Sequence, residues 1–221
     1  MPALAQEKQF AIEHDLSLGE LLHKLGGISP KRVRISPPPG SATEQDVIAA
    51  RNSPGRRLCE LVHGVLVEKA MGFEESCLEG VIIQLLLNFV RPLRLGFVLG
   101  PDGFVKLMPE LIRIPDVCFI SRNRLPGRKA PREPILQHVP NLAIEVISKG
   151  NTRAEMRHKV IDYFAAGVEL VWLVYPRTRT VVVHTSPEEF QTLTDKDVLE
   201  GGSVLNGFRL SLNELFGAID E

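Results

Sequence analysis

Apolar positions recur along this chain in two rhythms, every second residue or every third to fourth, and the switches between them mark its elements. Residues 142–148 read Leu-Ala-Ile-Glu-Val-Ile-Ser, between Pro140-Asn141 and Lys149-Gly150-Asn151. A run this short between turn residues predicts a strand rather than a helix. Leu142, Ile144, Val146 and Ser148 share one face and Ala143, Glu145 and Ile147 the other, so both faces are largely apolar, as in a sheet covered on both sides. Glu145 is the exception. It has to be paired, protonated or bound to a metal, because an unpartnered buried charge is very costly.

Helical spacing governs two longer segments. Over residues 74–90, Leu78, Val81, Ile82, Leu85, Leu86, Phe89 and Val90 recur at i, i+3, i+4 and i+7, predicting a core helix with no chemistry of its own. Arg91-Pro92 ends it. Over residues 152–166, Thr152 and Glu155 have capping-box spacing and Gly167 supplies the stop. Met156, Val160 and Phe164 form its apolar stripe, with Lys159 on another face. Lys159 fits two placements equally well. It is either the exposed i+4 partner of Glu155, worth about 0.3–0.5 kcal/mol, or an ammonium turned toward the strand ends. A shorter helix is expected at 17–25, capped by Ser17 and stopped by Gly26-Gly27.

The remaining apolar runs read as strands. Residues 57–69 form two of them around His63-Gly64, a hairpin signal, with Glu60 and Glu68 on its strands. Alternation does not say which acid points inward. Two short strands over 96–108 are joined by Pro101-Asp102-Gly103, a turn sequence. In the run 113–120, Pro115 is tolerated at a strand's beginning, which puts Asp116 at a strand mouth. Strands at 169–175 and 180–185 follow, and strand, helix, strand over 142–175 is a βαβ-like crossover. The prediction is an α/β class with a mixed sheet. Residues 30–40, with Lys31, Arg32, Arg34 and three consecutive prolines, predict an extended arm. Residues 1–50 are therefore expected to be an N-terminal extension, clasping a second subunit or packed on its own chain, ahead of a domain at 51–221.

Composition narrows the class. The chain has 221 residues, 44% hydrophobic and 24% charged, enough for a sizeable core. A net charge of -1 leaves no argument from overall basicity. Cys59, Cys77 and Cys118 are widely spaced without a CxxC pair, which fits reduced thiols in a cytosol. There is no spanning apolar run and no secretory core at the start of the sequence, so a soluble cytoplasmic protein is expected. Between residues 122 and 132 stand Arg122, Arg124, Arg128, Lys129 and Arg132. That loop, expected to be mobile and beside Asp116, is either simply solvated or tracks phosphates, with Arg122, Arg124, Arg128 and Lys129 as the nucleic-acid contacts.

Asp116, Glu145 and Lys159 follow the pattern D-x28-E-x13-K. Two carboxylates on neighbouring strands plus an amine suit phosphodiester hydrolysis: the acids hold a hard divalent cation, magnesium or manganese, and the amine steadies the attacking water or the charge on phosphorus. The motifs Ile-Pro-Asp-Val-Cys-Phe-Ile (114–120), Pro-Asn-Leu-Ala-Ile-Glu-Val-Ile-Ser (140–148) and Asn-Thr-Arg-Ala-Glu-Met-Arg-His-Lys (151–159), with Tyr163 to Val168 and Val171-Trp172-Leu173-Val174, resemble the Uma-two family of bacterial endonucleases within the PD-(D/E)XK superfamily. The resemblance implies a restriction-endonuclease-like core, with Asp116 and Glu145 as metal-binding acids and Glu60 as a further carboxylate. It also implies a metal contact from the Val146 carbonyl, DNA as partner, and a homodimer. Ile147 stands where the superfamily usually has its lysine, so Lys159 has to replace it. The alternative is a non-catalytic nucleic-acid-binding or interaction module on the same scaffold.

Overall fold

The chain moves between two sheets, and the crossings fix where its acids stand. The structure, a computed structural model, describes residues 16–220. Helix α1 (Leu18–Lys24) is closed by a Ser17–Glu20 capping box, and α2 (Glu44–Asn52) by Thr43 and Asp46. Strands β1 (Cys59–Val62) and β2 (Val65–Glu68) form the expected hairpin. His63 and Gly64 take φ of 48° and 76°, the two-residue turn that matches strand twist. A Cβ on Gly64 would meet the Gly40 backbone at 2.6 Å, so this turn needs glycine for space as well as for φ. Helix α3 (Phe73–Val90) follows.

Strands β3 (Gly96–Leu99) and β4 (Val105–Met108) flank the 101–103 turn but do not pair with each other. The turn carries the chain from one sheet to the other. Strand β5 (Leu111–Arg113) joins β4 and β1 in a four-stranded antiparallel sheet of order β2-β1-β5-β4. The chain then crosses back to β6 (Val117–Ser121), so the run predicted as one strand is two strands in different sheets, broken at Pro115 where a ladder N–H is missing. Strand β7 (Leu142–Val146), helix α4 (Arg153–Ala166) and strand β8 (Leu170–Tyr175) form the crossover, with β7 and β8 parallel. With β9 (Thr180–His184) and β10 (Phe190–Thr194), they complete a six-stranded mixed sheet of order β10-β9-β8-β7-β6-β3. A small ribbon of β11 (Val198–Glu200) and β12 (Arg209–Ser211) leads into α5 (Leu212–Gly217).

The two faces of the six-stranded sheet follow the period-two pattern. Leu78, Ile82, Leu86 and Val90 of α3 pack with Val117, Phe119, Ile144, Val146 and Trp172. On the other face Met156, Val160 and Tyr163 of α4 pack with Cys118, Ile120, Ala143, Val171 and Leu173. The four-stranded sheet shares that second core through Val62, Val65, Val67 and Leu111, so α4 lies between the two sheets. All three cysteines are free. Among the described residues no helix is long and apolar enough to cross a membrane.

The N-terminal segment packs on its own chain. Leu21, Leu25, Ile28 and Val33 enter the α4 core, and Val47 of α2 is fully buried against Cys59, Leu61 and Ile112. Val33 bridges Val67, and the Arg34 N–H donates to Leu66 at 2.9 Å. Of the two placements expected for the extended arm, the structure has the one packed on its own chain: after a short 3-10 turn at Pro30–Arg32 it pairs along the β2 edge, a pairing its proline content does not signal. Residues 1–15 of the expected extension lie outside the described residues. The Arg32 guanidinium donates to both Glu155 oxygens, at 3.0 and 2.7 Å, and to the Glu68 carbonyl at 2.8 Å. Glu155 is buried, so removing its partner leaves a buried uncompensated charge. Arg32→Ala is expected to lower stability by about 3 kcal/mol in urea unfolding; a change within experimental error would show that the segment is not clamped there.

Candidate active site

Asp116 stands in the crossing between β5 and β6, at the edge where β7 ends. Its Oδ2 accepts the Val146 N–H at 2.5 Å, and its Oδ1 lies 2.6 Å from Lys69 Nζ. Lys69, just past β2, also donates to the Pro101 carbonyl at 3.1 Å, so one ammonium ties the hairpin, the 101–103 turn and the acid. Glu79, on α3, is buried close enough to Asp116 to feel its charge, and burial and then that charge push Glu79 up to about 8, so near neutral pH it holds its proton.

Glu145 points from β7 to the α4 side. Lys159 Nζ donates to its two oxygens at 3.1 and 3.0 Å, and Tyr163 Oη donates to Oε1. Of the two placements the spacing left open for Lys159, the structure has the inward one: Lys159 is 2% exposed, and Glu155 is occupied by Arg32. Burial raises Glu145 to about 7, with Lys159 opposing the rise and Asp116 adding to it.

Lys159 Nζ also lies 3.0 Å from Glu60 Oε1. Hairpin register decides which acid turns inward: Glu60 pairs with Val67 and is 1% exposed, whereas Glu68 is half-buried and pairs with Arg34 and Arg57. Glu60 also accepts from Arg113 Nη1 at 2.8 Å and from the Ile114 N–H at 3.1 Å. Burial by itself would raise Glu60, but Lys159 and Arg113 outweigh it and hold the carboxyl down at about 2. Arg113 is shared with Asp162 of α4, Nε donating to Oδ2 at 3.1 Å. Glu60 thus anchors Lys159 and faces two cations.

The connected network buries five carboxyl groups (Glu60, Glu79, Asp116, Glu145 and Asp162) against three cations (Lys69, Arg113 and Lys159). When all are ionised the acids exceed the cations by two. Glu79, Asp116 and Glu145 offer only oxygen, the donor type a hard divalent cation takes, and the charge excess equals the charge of such an ion. The donor chemistry fits magnesium or manganese. Among the described residues, however, no three acids, histidines or cysteines converge as a ligand set, and Lys69 and Lys159 lie against Asp116 and Glu145.

The basic loop is not beside these acids. It follows Ser121, while Asp116 precedes Val117, so the length of β6, roughly 15 Å, separates them. Arg124 donates to the carbonyls of Val139, Pro140 and Gly167 at 3.1, 2.9 and 3.1 Å and pairs with Glu169, locking the loop to the far end of β7. Arg122 lies 4.8 Å over the Phe97 ring and donates to the Arg128 carbonyl. Arg128 and Lys129 are exposed there. The expectation failed because strand direction was not read: a loop next in sequence to an acid lies at the other end of the intervening strand.

Four contributors escaped the sequence reading: Lys69, Glu79, Arg113 and Tyr163. Glu79 had a signal, since it falls beside the arc of Leu78, Ile82 and Leu86, an acid against an apolar stripe. Lys69 and Arg113 had none, because their partners lie on other elements far away in sequence.

Residues 52–213 match the family model described as "Uma2: Putative restriction endonuclease". No curated protein matches the chain. Among solved structures it is similar to one described as "a putative nuclease belonging to DUF820" from Anabaena variabilis ATCC 29413. The likeness has 18% identity and a TM-score of 0.66, covering 74% of this chain and 92% of that one, and it establishes a shared fold. With the family model matching most of its length, the chain belongs to the Uma2 family.

Proposed function

We propose that this protein is a metal-dependent endonuclease that hydrolyses DNA phosphodiester bonds at Asp116, Glu145 and Lys159. The observation that carries the reading is the buried charge excess at the edge where β7 ends, adjoining an amine held between two acids. Asp116 and Glu145 would hold the ion, with the Val146 carbonyl, which lies on the same strand edge as the N–H bound by Asp116. When bound, such an ion polarises the phosphate and makes its coordinated water acidic.

The chain's own residues supply the rest. Lys159 places a fixed positive charge against Glu145, where it can steady the attacking oxygen and the charge growing on phosphorus. Glu60 and Tyr163 keep that geometry, Glu60 from behind Lys159 and Tyr163 from behind Glu145. Glu79 holds a proton next to Asp116, within the same site and available to a leaving oxygen. One observation favours the alternative, a binding module without chemistry: Lys69 already neutralises Asp116.

Incubation with plasmid and linear DNA in magnesium or manganese distinguishes the two. Glu145→Ala and Lys159→Ala are each expected to reduce cleavage at least about 100-fold, while circular dichroism shows them folded. Undiminished cutting by Glu145→Ala, or no cutting by the parent chain with either metal, would remove the assignment.

The electrostatics give a second test. Glu79 and Glu145 have folded-state values raised above the ordinary carboxyl range, to about 8 and about 7. Their contribution to stability is therefore complete below the unfolded carboxyl range and is lost as pH rises through those values. Glu60 has the opposite sign: held down at about 2, its contribution is lost as pH falls toward that value. A divalent ion favours the deprotonated acids, so manganese should raise the melting temperature more at a pH above 8 than at a pH below 7. A shift independent of pH, or larger on the acid side, would contradict ion binding by these groups.

A further inference from the structure

Met71, on the segment between β2 and α3, and Phe73, the first residue of α3, are exposed by 67% and 88%. Single exposed apolar side chains need no explanation, but the position of this pair does. The segment is fastened where it leaves β2, by the pairing of Lys69 with Asp116, and the α3 that follows it buries Glu79 near the same acid. The segment's middle lies against the loop that follows β7, where a Cβ on Gly150 would come within 3.1 Å of the Ala70 methyl. An aromatic side chain is thus presented to solvent at the end of a segment anchored to Asp116.

Across the same edge lie three cations. Strands β7 and β8 are parallel and end together. Lys149 follows the first, Arg177 follows the second, and Arg153 opens α4 between them, close enough to Tyr175 to act on its hydroxyl. All three are exposed, and none forms an ion pair among the described residues. They occupy the carboxyl ends of parallel strands, the usual ligand edge of such sheets. The basic loop of residues 122–132 has no such position.

A lip of cations facing a lip of aromatic and apolar side chains is the arrangement that binds unpaired strands, with phosphates on one side and base faces on the other. A continuous duplex keeps its bases stacked and offers Phe73 nothing flat. We infer that the strand entering this site carries an unstacked base: Lys149, Arg153 and Arg177 take its backbone, and Phe73 with Met71 takes the base. The substrate class is then single-stranded or locally unpaired nucleic acid. This rests on the nuclease reading above and narrows it.

Fluorescence anisotropy of an end-labelled single strand and of the same strand in duplex tests the inference, with the wild-type chain in EDTA so that no cutting intervenes. The single strand is expected to bind about tenfold more tightly. Phe73→Ala should lose about tenfold on the single strand and little on the duplex. Replacing Lys149, Arg153 and Arg177 together by alanine should lower the salt-dependence slope by about 2. Equal binding of both forms, with Phe73→Ala unchanged, would overturn the inference. So would an unchanged salt slope. The failures separate: duplex cutting that is indifferent to the lip variants removes this inference and leaves the nuclease. Single-strand binding that depends on Phe73, without hydrolysis in any metal, supports the lip and removes the nuclease.

Discussion

The ammonium of Lys159 is the point on which the two sheets close. It comes from the helix between them and reaches Glu145 on one sheet and Glu60 on the other, each at about 3 Å. Among the described residues Glu145 has no other cation beside it, Glu60 shares Lys159 with Arg113, and Lys159 could not be buried without these acids. Arg113 and Asp162 extend the same arrangement, so α4 is fixed to the four-stranded sheet by charge and to the six-stranded sheet by Met156, Val160 and Tyr163. Removing any one partner strands another in low dielectric.

That closure leaves the acids in excess. Evolution could have filled the edge with apolar side chains at less electrostatic cost, since buried ion pairs seldom stabilise more than well-packed hydrophobic replacements. The proposed ion would give five carboxyl groups set against three cations a reason beyond folding. Burial first, and then neighbouring carboxylates, make Glu79 and Glu145 hold protons at higher pH than ordinary carboxyls do. In the proposed mechanism, the ion replaces the proton of Glu145, while Glu79 keeps its own.

Much of this was legible along the sequence. The strand with Glu145 inside it, both main helices, the hairpin and the parallel crossover follow from periodicity, capping and turn residues. The inward acid of the β7 strand was evident because its neighbours are all apolar. What could not be read were relations across sheets: that Pro115 divides two strands of different sheets, that register turns Glu60 in and Glu68 out, and that Lys69 meets Asp116. The basic loop was misplaced for the same reason, since adjacency in sequence was taken for adjacency in space. Glu79 differs: the helical spacing puts it beside the apolar arc of Leu78, Ile82 and Leu86 rather than on the polar face, and the structure buries it there.

The central claim, that the excess of buried acid is a seat for a divalent ion, is tested most directly by a crystal structure of the chain grown with manganese and measured for anomalous scattering. The account predicts one anomalous peak in contact with both Asp116 and Glu145, with the Lys69 ammonium withdrawn from Asp116. A site without such a peak, in which Lys69 still holds Asp116, would contradict it.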